Sequence, residues 1–161
     1  MTRRNLMLLA AGGSLALLLG AFGFQMLGYA PCKLCLWQRW PHGAAIATGG
    51  LVLLAGPWLL WGLAGALSAL ITAGIGAYHT GIERGWWQGP ADCTGDAGAL
   101  SGMSGQDLLS LDAPNDIVMC DEVAWAFAGL SMASWNVIIS LALAAIWIRA
   151  IRTRGVIEVD A

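Results

Sequence analysis

Charged side chains are scarce in this 161-residue chain, where Asp, Glu, Lys and Arg together make up only 11%. Soluble domains carry charge on about a quarter of their residues, so the composition argues against an ordinary soluble domain. Basic residues form no patch of the kind that binds nucleic acid, and no internal repeat is visible. Instead, 58% of the residues are hydrophobic, with twenty-two Gly and nine Trp. Gly packs helices in lipid and Trp favours membrane interfaces, so a membrane protein is indicated.

Three long stretches contain no charged residue: residues 5–32, 40–82 and 123–148. A helix needs about 20 apolar residues to cross a bilayer. The first and third stretches, of 28 and 26 residues, each suit one span, whereas the middle stretch of 43 residues suits two. Gly56-Pro57 is a turn signal near the centre of the middle stretch. The sequence therefore predicts one all-α membrane domain over residues 1–161, with transmembrane helices near residues 6–28, 40–56, 59–80 and 124–148.

The first apolar stretch has an alternative interpretation as a cleaved signal peptide, with Arg3 and Arg4 as its basic start. The apolar region of a signal peptide is usually about 7–15 residues long, and this one is longer. A lipoprotein signal that ends at Cys32 is disfavoured because Pro31 directly precedes that cysteine. We therefore expect an uncleaved span.

Basic residues at both ends indicate the orientation in the membrane. Arg3 and Arg4 precede the first span, and Arg149, Arg152 and Arg154 follow the last. Lys and Arg are enriched on the cytoplasmic flanks of spans, so both termini are predicted to be cytoplasmic. The two ends agree independently, as an even number of spans requires.

Two loops, residues 29–39 and 81–122, are then predicted on the opposite side. The longer loop holds eight of the ten acidic residues, and all four cysteines lie in these two loops. Disulfides persist in oxidising compartments such as the bacterial periplasm, which agrees with cysteines outside a bacterial inner membrane. Within the longer loop, residues 104–111 fit either a short helix on the membrane surface or a loop with a few buried anchors.

The four cysteines divide into two pairs by their spacing. Cys32 and Cys35 are separated by two residues, a spacing typical of redox dithiols. Cys93 and Cys120 form the predicted second pair, with 26 residues between them. Redox exchange is favoured, and inert structural disulfides are the alternative. Zinc is a further alternative, but structural zinc sites use two closely spaced ligand pairs, and no histidine completes such a pattern here.

Two features predict a reactive thiol in the first pair. Pro31 suits the first turn of a helix, and a helix that began there would bring Cys35 close to its N-terminus, where backbone N–H groups favour a thiolate. Arg39 follows Cys35 by four residues and falls on the same helix face. Both effects would lower the pKa of Cys35. The alternative for Arg39 is an interfacial arginine whose side chain reaches the lipid head groups.

Several motifs together resemble the disulfide bond formation protein B (DsbB) family. The first is PCKLCLWQR at residues 31–39, followed by YHTGIE at residues 78–83 and WQGP at residues 87–90, which leads to Cys93. Cys120, Trp125, GLS at residues 129–131 and WN at residues 135–136 resemble the family's entry into its last helix. The matches run from about residue 25 to residue 140. Cys-x-x-Cys alone is a weak signal, but its combination with Arg39, the split pair and four spans is specific.

The resemblance implies a four-helix transmembrane bundle with a long periplasmic loop between helices 3 and 4. It implies a membrane quinone, ubiquinone or menaquinone, as cofactor and no metal. Its partner would be a periplasmic thioredoxin-like dithiol oxidase, DsbA or a relative. Arg39 and His79 would bind the quinone, and the catalytic residues would be Cys32, Cys35, Cys93 and Cys120.

Under the same resemblance, the partner's thiolate attacks the loop disulfide at Cys93, and the released Cys120 attacks Cys32. Cys35 is then left as a thiolate that faces the quinone, with Arg39 stabilising the charge. From the residues alone, an alternative for His79 is an interfacial histidine that bonds a neighbouring helix. His42 is likewise expected at the interface, and Asn136 is expected to bond a neighbouring helix.

Two other functions remain open from the sequence. A vitamin-K-epoxide-reductase-like enzyme also pairs thiols with quinones in a four-helix core, but in that family the quinone-facing Cys-x-x-Cys comes late in the chain. Here Cys32 and Cys35 lie in the first outer loop. A non-enzymatic alternative is a four-span structural protein whose outer loop is closed by static disulfides.

Overall fold

The computed structural model describes residues 1–90, 93 and 119–153 and contains four helices in that part of the chain. The helices are α1 (Arg3–Met26), α2 (Lys33–Ala55), α3 (Leu59–Glu83) and α4 (Met132–Arg152). A short antiparallel hairpin, β1 (Ala126–Phe127) and β2 (Leu130–Ser131), precedes α4. The predicted four-helix all-α architecture is confirmed. The expectation for residues 104–111 lies outside the described residues.

Three of the four helices, α1, α3 and α4, are long and apolar enough to cross a membrane. The remaining helix, α2, has 23 residues, but its first half carries several polar side chains. Gln38 and His42 in that half are buried inside the protein. Intramembrane polar groups usually face the bundle interior, so α2 belongs to the bundle as a helix with a polar inner face.

The helices pack in the cyclic order α1, α2, α3, α4, because α1 and α3 each contact both α2 and α4. The centre of the apolar core contains the fully buried side chains of Met7, Val52 and Trp147. Gly65 on α3 lies against the indole of Trp147, where any Cβ would overlap the ring. Small residues allow membrane helices to approach closely, and this contact joins α3 to α4.

The second helix begins at Lys33, seven residues before the predicted start at residue 40, so most of the predicted loop 29–39 is helical. Cys32 caps the helix, since its Sγ accepts a hydrogen bond from the Cys35 N–H at 3.2 Å. The two charged residues of this segment, Lys33 and Arg39, contact neighbouring side chains from within the helix. The Lys33 ammonium lies 5.7 Å from the centre of the Trp37 ring, and Arg39 donates to Gln25 Oε1 at 2.9 Å.

The last helix was predicted over residues 124–148 but begins at Met132. Ala128 and Gly129 both have positive φ angles, 52° and 76°. They form the two-residue turn between the hairpin strands, and two positive φ values are the requirement of a type I′ turn. The Ser131 hydroxyl then accepts the Ser134 N–H at 3.2 Å and caps α4. An uncharged stretch can therefore contain a hairpin as well as a span.

Candidate redox site

Cys32 and Cys35 lie at the start of α2 as two thiols that are not joined by a disulfide. Their sulfur atoms are 2.9 Å apart. Cys32 is only 4% exposed, whereas Cys35 is partly exposed. This spacing lets one thiol donate a hydrogen bond to the other, so the pair can share one negative charge.

The imidazole of His79, on α3, faces this pair. Its Nε2 lies 3.6 Å from Cys32 Sγ, and its Nδ1 lies 3.1 Å from Gln38 Nε2. The Gln38 amide nitrogen can only donate, and it also donates to the Leu34 carbonyl at 3.3 Å. His79 Nδ1 therefore accepts, and its N–H lies on Nε2, directed at the Cys32 sulfur.

Glu83 lies one turn beyond His79 on α3. Its Oε1 is 3.9 Å from His79 Nε2, and its Oε2 accepts a hydrogen bond from the Ser131 hydroxyl at the start of α4. The carboxylate thus ties the outer end of α3 to the hairpin and lies beside the imidazole.

The pKa of Cys32, which lies outside α2 at its N-cap, is lowered from 9.0 to about 4. The largest cause is a hydrogen bond from the Cys35 thiol. Hydrogen bonds from His79 and from the Cys35 backbone N–H act in the same direction, and burial opposes them. The helix begins two residues after Pro31, as expected. The sulfur that accepts a backbone N–H of its first turn is that of Cys32, however, and the donor is the Cys35 N–H. The sequence had predicted the stabilised thiolate at Cys35.

The second pair, Cys93 and Cys120, forms a disulfide with a Cα–Cα distance of 5.1 Å, as the spacing predicted. Both residues are buried, at 2% and 0% exposure. They belong to the same apolar cluster as Cys32, Leu34 and Ile82. The structure therefore brings together all four predicted catalytic cysteines at one end of the bundle.

A cavity of about 260 Å³ opens beside the thiols, and residues of all four helices line it. Most of its wall is apolar, and its polar lining includes the predicted site residues Cys32, Cys35, Arg39 and His79. Glu83, His42, Gln38 and Asn136 also line it. The two predicted quinone ligands and the first cysteine pair therefore share one cavity.

Arg39 is held by α1. Its Nη1 donates to Gln25, and its guanidinium lies 4.7 Å from the centre of the Phe22 ring. Its Nε is buried and has no hydrogen-bond partner among the described residues. A buried N–H without a partner costs about 1–3 kcal/mol, and Arg39 is also one of the residues that line the cavity.

A buried polar network between α2, α3 and α4 was not predicted as part of the site. Asn136 donates from Nδ2 to Gln38 Oε1 at 2.7 Å and to the Thr72 carbonyl at 3.4 Å, which confirms the expected helix–helix bond of Asn136. His42 Nε2 lies 2.9 Å from Asn136 Oδ1. His42 is thus buried inside the bundle as part of this network, a contact that the sequence did not predict. The available signal was spacing, since Gln38 and His42 are four residues apart and share a helix face.

One group of possible metal ligands is present in the described part of the chain. The ligand atoms of Cys32, Cys35 and His79 lie within 4.8 Å of one another. Structural zinc sites use four ligands, and catalytic sites use three with an open position. The group therefore has the donor types for zinc, while the two thiols and their neighbouring disulfide also suit thiol exchange.

Comparisons with known proteins agree on one family. The family model described as "Disulfide bond formation protein DsbB" matches residues 3–150. The chain is 32% identical to Disulfide bond formation protein B of Dechloromonas aromatica over 122 residues, 71% of this chain and 70% of that protein. It is 30% identical to the Paracidovorax citrulli protein of the same name over 164 residues, 93% of this chain and 89% of that protein.

A third relative, Disulfide bond formation protein B of an Acidovorax species, is 29% identical over 144 residues, 83% of this chain and 78% of that protein. No solved structure matches the chain. The family match, the apolar helices and the two cysteine pairs at one end of a four-helix bundle agree. This multi-pass membrane protein therefore belongs to the disulfide bond formation protein B family, whose role is protein disulfide bond formation.

Proposed function

We propose that the protein is a membrane thiol–disulfide oxidoreductase that reoxidises a periplasmic DsbA-like dithiol oxidase and passes the electrons to membrane quinone. Its termini would be cytoplasmic and its cysteines periplasmic. The observation that carries the proposal is the position of the two cysteine pairs, which share one apolar cluster beside a cavity lined by Arg39 and His79. A purely structural disulfide requires neither a second cysteine pair beside it nor such a cavity.

The first exchange takes place at the loop disulfide. A thiolate of the reduced partner attacks Cys93, forms a mixed disulfide and releases Cys120 as a thiolate. Cys120 attacks Cys32 in the Cys32–Cys35 disulfide, forms a Cys32–Cys120 bond and releases Cys35. The partner's second thiolate displaces Cys93 and leaves the partner oxidised. Cys93 then attacks Cys120, which re-forms the loop disulfide and leaves Cys32 and Cys35 reduced.

The loop disulfide and Cys32 lie in one buried cluster, as exchange between the two pairs requires. The charge of the reduced pair would be held on Cys32, because that sulfur accepts the N–H of Cys35 and faces His79 Nε2. The His79 N–H would stabilise the thiolate.

The cavity residues fit a quinone. The mostly apolar wall suits an isoprenoid-substituted ring, and the buried Arg39 Nε provides a donor without a partner in the described chain. A bound quinone supplies the electron acceptor, since it takes up two electrons and two protons. Arg39 and His79 would hold it, with Arg39 fixed by Gln25 and His79 fixed by Gln38.

The test of the relay is the Cys35→Ser variant. Oxidation of a reduced DsbA-like partner would be followed with added ubiquinone analogue, and we expect turnover to fall to the uncatalysed rate because the first pair can no longer form a disulfide. Turnover equal to that of the unmodified protein would contradict the scheme. A mixed disulfide trapped between Cys93 and the partner in a Cys120→Ser variant would identify the point of entry.

The test of the quinone site is Arg39→Leu, with Arg84→Leu as the matched control. Arg84 stacks on Trp86 and does not line the cavity. We expect Arg39→Leu alone to raise the quinone concentration needed for half-maximal turnover, because it removes the unpartnered donor. An unchanged requirement would return Arg39 to the role of an interfacial anchor.

A further inference from the structure

His42 lies deep on the inner face of α2 and lines the cavity beside the thiols. Its side chain is buried, at 4% exposure. Nε2 contacts Asn136 Oδ1 at 2.9 Å and Thr72 Oγ1 at 3.3 Å. Nδ1 is also buried, but within the part of the chain that the structure describes it has no hydrogen-bond partner. A buried polar nitrogen usually has a hydrogen-bond partner, so Nδ1 is available to accept a hydrogen bond from a bound molecule or a water.

Backbone carbonyls determine which nitrogen of His42 carries the proton. The Leu34 carbonyl can only accept, so the Gln38 amide group that faces it is the NH₂, and Gln38 Oε1 faces Asn136. Asn136 must therefore present its NH₂ to Gln38, as its contact with the Thr72 carbonyl also requires. Asn136 Oδ1 then faces His42, so the His42 proton lies on Nε2.

A neutral imidazole carries a single N–H, and its other nitrogen is an acceptor. With the proton held on Nε2 by Asn136, His42 Nδ1 is a bare acceptor, and the His42 side chain lines the cavity. An oxidised quinone has carbonyl oxygens, which only accept hydrogen bonds. A reduced quinol has hydroxyl groups, which donate. Neutral His42 can therefore bond the reduced ring but not the oxidised ring.

We propose that His42 Nδ1 accepts a hydrogen bond from a hydroxyl of the quinol ring, so that the cavity binds the reduced ring more tightly than the oxidised one. This inference rests on the proposed quinone function. Arg39 Nε, a donor, can bond an oxygen of either form. Arg39 would thus bind the oxidised and the reduced ring alike, whereas His42 would bind only the reduced ring.

The first test observes His42 directly. The chain contains only two histidines, so ¹⁵N-histidine labelling gives four ring signals, which a His79→Asn variant assigns. In the quinone-free protein we expect His42 Nε2 to be protonated and Nδ1 to be bare. Addition of decylubiquinol should shift the His42 Nδ1 signal upfield, as expected for a nitrogen that accepts a hydrogen bond, and addition of decylubiquinone should leave it in place.

The second test compares affinities in the His42→Phe variant, which keeps an aromatic ring but has no acceptor. We expect the Kd for decylubiquinol to rise about 5–10-fold, the effect of one lost hydrogen bond, and the Kd for decylubiquinone to change less than about 2-fold. Ser140→Ala is the matched control. Ser140 donates to the same Asn136 oxygen at 3.3 Å but does not line the cavity, so it should leave the ratio of the two affinities unchanged.

The outcomes separate this inference from the proposed function. A shift of His42 Nδ1 with the quinol alone supports the inference. Binding of both ring forms without any shift at Nδ1, or a proton found on Nδ1 in the quinone-free protein, overturns the inference and leaves the quinone function intact. Binding of neither form overturns both. If His42→Phe does not fold, the spectra of the unsubstituted protein decide the question.

Discussion

The interaction of His79 with Cys32 predicts how strongly the first cysteine pair oxidises. The His79→Phe variant keeps a planar ring but removes the Nε2–H that lies 3.6 Å from the Cys32 sulfur. A hydrogen bond to a charged group contributes about 1.5–3 kcal/mol, and one pKa unit corresponds to about 1.4 kcal/mol. The pKa of Cys32, which is about 4, should therefore rise by roughly one to two units in the variant.

The same free energy appears in the reduction potential. At pH 7 the Cys32 thiolate is the form present in both proteins, so destabilising it destabilises the reduced pair. A difference of about 1.4 kcal/mol corresponds to about 30 mV for a two-electron couple. We expect the potential of the Cys32–Cys35 pair to fall by about 30–60 mV in His79→Phe, which makes the pair a weaker oxidant.

Two measurements check this prediction. The rate at which iodoacetamide modifies Cys32, followed by mass spectrometry of its peptide across pH, gives the pKa. Equilibration with glutathione buffers gives the potential. Tyr78→Phe is the control, because Tyr78 precedes His79 but is directed at the Gln88 carbonyl. The reasoning is refuted if His79→Phe leaves both the pH midpoint and the potential at the values of the Tyr78→Phe control.

Three further predictions concern stability, measured by unfolding in detergent. The Cys32 pKa is lower in the folded protein, about 4, than its ordinary 9.0. Its contribution is therefore fully present above pH 9 and is lost as the pH falls towards 4, and Cys32→Ser should abolish this slope in the reduced protein. Gly65→Val should cost about 1–3 kcal/mol because its Cβ meets the Trp147 indole, whereas Gly74→Ala, which has open space, should be neutral or stabilising. Asn136→Leu should cost about 1–3 kcal/mol because it leaves buried polar partners unsatisfied; a cost below that of Gly74→Ala would contradict this.

The helices were predictable because the bilayer imposes their length. A charged side chain is costly in hydrocarbon, so a spanning helix shows as a stretch of about 20 residues without charge. The span predicted at residues 59–80 lies within α3. The start of α2 was not predictable in the same way. Arg39 interrupts the uncharged stretch, yet the helix continues through it because Gln25 and Phe22 of α1 accommodate the guanidinium.

The candidate site also has a part that the sequence predicts and a part that it does not. The cysteine pairing follows from spacing along the chain, and the Cys93–Cys120 disulfide has the predicted partners. The polar network depends on contacts between residues far apart in sequence, such as Gln38 with Asn136, 98 positions away. No periodicity within one helix reveals which residue of another helix it will meet. The spacing of Gln38 and His42 shows that they share a helix face, but it does not show that this face meets Asn136.

The depth of the loop disulfide has a consequence for selectivity. Cys93 and Cys120 are almost fully shielded, with 2% and 0% of their surface exposed. A small thiol has little binding energy to offset the cost of exposing this disulfide, whereas a protein partner can offset that cost by the surface it buries on docking. We therefore expect glutathione to reduce this disulfide slowly. Shielding of this kind would restrict thiol–disulfide exchange at Cys93 and Cys120 to a docked protein, and small thiols would not be oxidised by this disulfide.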